Sequence, residues 1–137
     1  MTQAEAVAEL GARINTIEEA YEFFLAYASQ GLASDQDSGT GRQCREYLNK
    51  ADAALSGLPG VITRYVEHRG LAPAAPYDQF VDVIAHDTKH AQAAIQLVLA
   101  QPAISSQLVD NLNASIHLRA LLTDLFLIDE TFKSNRS

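Results

Sequence analysis

Several residue types are scarce in this chain, and each shortage excludes something. Among 137 residues there are one cysteine, one methionine, four prolines and no tryptophan. A lone Cys44 cannot close an internal disulfide, which excludes a disulfide-stapled secreted scaffold. The longest apolar-dense run, Leu118 to Ile128, is broken by Arg119, Thr123 and Asp124 and is too short to span a bilayer. Positive charge is scarce as well: ten Lys and Arg against seventeen Asp and Glu leave a formal charge of −7. Such a balance repels phosphate backbones and anionic lipid. The basic residues are also scattered from Arg13 to Arg136, with no stripe interleaved with aromatics. Neither nucleic acid nor a membrane is therefore an expected partner. The opening MTQAEAVAELG lacks the basic start and apolar run of a signal peptide, so the expected location is the cytoplasm.

What remains is a globular composition, 47% hydrophobic and 20% charged, at a length that suits one domain over residues 1–137. Val7, Leu10, Ile14, Ile17, Tyr21, Phe24 and Ala28 alternate spacings of three and four, which predicts a first helix from about Thr2 to Ser29. Ser34 to Gly41 is small and polar and reads as a loop. A second helix carries Cys44, Leu48, Ala51, Leu55, Leu58, Ile62 and Tyr65 in the same alternation, interrupted by Ser56-Gly57-Leu58-Pro59-Gly60. Because the apolar phase survives the interruption, a kink or split near Pro59 is expected rather than a reversal of direction. After the Pro-rich run to Pro76, a third helix is predicted from about Tyr77 to Ala100, and a fourth from about Ser105 to Phe132. No segment alternates as a strand does. The expected fold is all-α, an up-down-up-down four-helix bundle.

The most polar stretch inside an apolar helix is Val83-Ile84-Ala85-His86-Asp87-Thr88-Lys89-His90. His86 and His90, four apart, stand one turn above each other and suit a shared divalent metal, with Asp82 extending the face. Asp87 continues the apolar spacing of Phe80, Ile84, Ala91 and Ala94, so it points inward and needs a partner. That partner is expected to be His117 on the fourth helix or a bound metal. His117 shares a face with Leu121, Asp124 and Ile128, and joining it with His86 or His90 would bridge two helices. A di-iron bundle is disfavoured because the carboxylate-x-x-His form of Asp87 and His90 occurs once, not twice. Cys44 sits in the apolar stripe and reads as a small core residue.

The segment His86-x-x-Lys89, followed by Ala91, Ala93 and Ala94, partly resembles the phosphorylated-histidine segment of histidine phosphotransfer domains. The resemblance implies a phosphoryl-accepting His86 projecting from a helix, with Lys89 neutralising phosphate charge. It covers about ten residues and departs from the pattern at His90, where that family places a glycine for docking of a receiver domain.

Aromatic and apolar side chains exceed what one core needs. Phe23 and Tyr27 on the first helix, with Leu125 and Phe132 on the two-faced end of the fourth, are expected to form a partner surface. The resulting expectation is a non-catalytic helical interaction protein, a homodimer acting with a protein partner. A metal-binding or phosphotransfer function centred on His86 and His90 is the alternative, with a divalent metal as its only implied cofactor.

Overall fold

A computed structural model of the chain describes residues 2–36 and 38–135, and the regular structure among them is entirely helical. Helix α1 (Gln3–Ala28) starts in a capping box: the Glu5 amide donates to Thr2 Oγ1 while the Thr2 amide donates to the Glu5 carboxylate. Helix α2 (Gly39–Leu55) is capped by Ser38, whose hydroxyl accepts from the Gly41 amide. The chain then breaks for two residues, Ser56 in an extended conformation and Gly57 at φ 73°, before helix α3 (Leu58–Arg69). Pro59 lies in the first turn of α3, where its missing N–H has no acceptor to lose. The expected interruption is thus a split, and Leu55, Leu58 and Ile62 on either side of it are all fully buried in one core. Helix α4 (Ala74–Leu99) follows.

The last helical stretch differs from expectation. Instead of one helix from about Ser105 to Phe132 there are two, α5 (Ser106–Ala114) and α6 (His117–Ser134), so the described residues form six helices rather than four. Ile116 adopts φ 63° between them, a left-handed conformation that a β-branched residue rarely takes. Packing explains the break. Helix α5 lies mainly against α1, and Asn113 donates to the Phe24 carbonyl near the end of that helix. Helix α6 lies mainly against α4. A straight helix would have to abandon one of these surfaces.

Helices α2 and α3 both pack on α1 and α4. Phe23 stacks on Tyr47 with ring centres 4.6 Å apart, while Arg13, in the first half of α1, donates to the carbonyls of Ala54 and Ser56 at the break. The two helices therefore run back along α1.

The loop from Leu32 to Ser38 is fastened to the α4–α5 connection by buried polar groups. Asp35 is 3% exposed, pairs with Arg45 and accepts the Ile104 amide at 2.7 Å. Arg45 also donates to the carbonyls of Leu99, Gln101 and Pro102. Tyr27 donates from its hydroxyl to the Ile104 carbonyl at 2.7 Å, and Leu32 and Ser106 exchange two hydrogen bonds. Gly41 packs so tightly under Asp35 that a Cβ would fall on the Asp35 carbonyl. Burial opposes ionisation of Asp35, but the Ile104 amide and Arg45 together outweigh it and hold the carboxyl below its ordinary value.

Two substitutions test this architecture. Gly57→Ala should cost about 1 kcal/mol through backbone strain alone, since its Cβ would meet no neighbour; an unchanged urea midpoint would show that the break needs no left-handed residue. Asp35→Ala should cost about 3 kcal/mol by leaving Arg45 and the Ile104 amide unanswered, and Asp35→Ala with Arg45→Ala together should cost less than the two single losses summed. Strict additivity in denaturant unfolding would refute the coupling.

Candidate functional site

Helices α4 and α6 face each other along a seam that carries most of the chemistry-bearing residues. Asp87 on α4 meets Asp124 on α6, and His90, one turn further along α4, meets His117 at the start of α6. Residue numbers rise along one helix as they fall along the other, so the two run antiparallel. Both carboxyl groups are half-buried, whereas both imidazoles are exposed. The ring centres of His90 and His117 lie 5.6 Å apart with planes tilted by 58°.

Two carboxylates at hydrogen-bond range in a seam flanked by Ile84, Leu121 and Ile128 cannot both ionise cheaply. Burial pushes the Asp124 carboxyl up to about 7, and a hydrogen bond to Asp87 together with the charge on that group adds to the effect. Among the described residues the buried Asp124 Oδ2 meets no hydrogen-bond partner. One proton shared by two acids is the arrangement this geometry supports at neutral pH.

The inward residue of the polar stretch is half-buried as its spacing requires, but its partner is Asp124 rather than His117. His117 goes to His90 instead. His86 stands apart from both: it is exposed, and its Nδ1 lies 2.9 Å from the backbone oxygen of Asp82 on its own helix. The rings that come together are therefore not the i, i+4 pair on one helix but one from each of two helices, which spacing within a helix cannot reveal. Among the described residues no three His, Cys, Asp or Glu side chains converge closely enough to hold an ion.

The expected partner surface is corrected more sharply. Tyr27, Leu125 and Phe132 are each fully buried, and Phe23 is half-buried between Tyr27 and Tyr47. Tyr27 turns inward because its hydroxyl is needed at Ile104, and Phe132 because its ring packs against Tyr65 at 4.2 Å. The large apolar side chains that do reach solvent are Leu25, Val83, Leu97, Ile116, Phe126 and Leu127. The two-faced apolar character of residues 118–132 held the clue: the core takes Leu118, Leu121, Leu122, Leu125, Ile128 and Phe132, leaving Phe126 and Leu127 outside.

Cys44 is a core residue, fully buried. Burial first, and the nearby Asp35 second, push its thiol up to about 12, with Arg45 partly opposing, so it is no nucleophile at neutral pH. A cavity of about 400 Å³ opens at the far end of the α4–α6 seam, lined by Pro73, Tyr77, Phe80, Leu127 and Thr131 among others. No helix of the described residues is long and apolar enough to cross a membrane. The chain matches no protein-family model, and no curated protein or solved structure is significantly similar to it.

The acid pair makes stability depend on pH in a defined direction. An unfolded Asp124 titrates near 3.8 and the folded one near 7, so between those values the folded state holds a proton that the unfolded state has lost. This contribution is complete below the unfolded value and disappears as pH rises through about 7. The melting temperature should therefore fall by a few °C between about pH 5 and pH 8. Asp124→Asn, which donates to Asp87 at any pH, should flatten that fall. Parallel curves for the two proteins would show that another group titrates.

Proposed function

We propose that this chain is a non-catalytic helical-bundle interaction protein that works as a homodimer in the cytoplasm and engages a further protein in that form. In this reading α2 with α3, and α5 with α6, are two broken columns beside α1 and α4, which gives an up-down-up-down four-helix bundle in a single domain. The observation that carries the functional reading is the face between α1 and α6. Leu25 and Phe126, each about half exposed, line one shallow groove there together with Tyr21, Leu122, Glu18, Glu22 and Arg119.

A second copy is the occupant this face fits best. It carries apolar side chains flanked by both signs of charge, and among the described residues Arg119 makes no ion pair. A two-fold interface places the same patch on both subunits, so Arg119 of one copy can meet Glu18 and Glu22 of the other while Leu25 and Phe126 bury each other. A partner of uniform charge would satisfy only one of the two signs. The net charge of −7 supports exclusion of nucleic acid from the same surface.

Light scattering at micromolar concentration should report twice the monomer mass. Leu25→Glu with Phe126→Glu, which places like charges into the groove, should return the monomer mass with helical content unchanged. A monomer mass for the unmodified chain across the micromolar range would overturn the proposal, as would a dimer indifferent to both substitutions.

A further inference from the structure

We infer that His90 and His117 form a two-imidazole site for a borderline divalent cation of the zinc type, bridging α4 and α6. Two imidazoles that share one such ion, at metal–nitrogen distances of about 2.0–2.1 Å, place their ring centres about 5 to 6 Å apart. The observed separation of 5.6 Å falls within that range, with the ring planes tilted by 58°. The site is thus spaced for an ion before one arrives, and each half comes from a different rigid helix.

The surroundings agree with that assignment. Both rings are exposed, and neither makes a hydrogen bond among the described residues, so ring nitrogens are free to ligate; His86, by contrast, has its Nδ1 against the Asp82 carbonyl. His117 opens α6, where the helix dipole disfavours a cation, but the carboxyl pair of Asp87 and Asp124 further along the same seam supplies opposing negative charge. Imidazole pairs select Zn2+, Cu2+ or Ni2+ over Ca2+ or Mg2+, which require oxygen ligands. With two protein ligands and no third acidic or sulfur ligand in range among the described residues, water completes the coordination sphere, leaving an open site of modest affinity.

An ion held between two helices binds the folded state alone and must raise its stability. The full chain, carrying no histidine tag, is melted with and without a small molar excess of Zn2+. A rise of about 3 °C, reversed by EDTA, is expected. The rise should be lost in His90→Ala and in His117→Ala and retained in His86→Ala. His117→Gln, which keeps size and polarity at the helix start, serves as a second variant should His117→Ala fail to fold, and it too should lose the response. No shift in the unmodified chain overturns the site. So does a shift that survives loss of either His90 or His117, or one that disappears equally in His86→Ala.

Discussion

The Asp35–Arg45 pair is the constraint on which the arrangement depends. A carboxylate this deeply buried is tolerated only because a backbone amide and a guanidinium both answer it. Answering it ties together segments far apart in sequence, the loop after α1, the first half of α2 and the connection between α4 and α5. Once Arg45 has reached the carbonyls of Leu99, Gln101 and Pro102, the end of α4 is fixed against the start of α2. Tyr27 and Ser106 fasten α1 and α5 to the same point. Buried polar networks of this kind add less to net stability than to uniqueness, because a slipped helix would leave a charge without a partner.

That fastened end sets the geometry at the opposite seam. With α4 held beside α2 and α5 held against α1, the chain must turn between α5 and α6 to lay α6 on α4. The left-handed Ile116 absorbs the turn at a cost of about 1–2 kcal/mol. His117 begins the helix immediately after that turn, which is how its ring arrives beside His90. The acid pair follows seven residues later, where α6 has settled onto α4. The His pair and the acid pair thus both follow from the same broken column.

The surplus of apolar residues divides for a related reason. A helix packed against two neighbours uses a wide stripe, and α6 touches both α4 and α1. Its core stripe absorbs Leu125 and Phe132, and the residues left outside, Phe126 and Leu127, fall on the two flanks of that stripe. One flank joins Leu25 across α1, and the other borders the cavity beside Tyr77 and Phe80. Excess apolar surface was legible as a quantity; which side chains compose it depended on how the helix is rotated.

Read alone, the sequence determined the all-helical class, the start of α1 near Thr2, the interruption near Pro59 with its core phase intact, the buried Cys44 and the inward lean of Asp87. Each of these follows from local chemistry: apolar period, and proline and glycine acting within a few residues of themselves. The tertiary structure alone decided the break at Ile116, where no glycine or proline stands, the burial of Asp35 inside a stretch that reads as an ordinary polar loop, and the pairings of Asp87 with Asp124 and His90 with His117. Those depend on contacts between segments that are distant in the chain. Periodicity fixes which face of a helix turns inward, but not which residue of another helix will be waiting there.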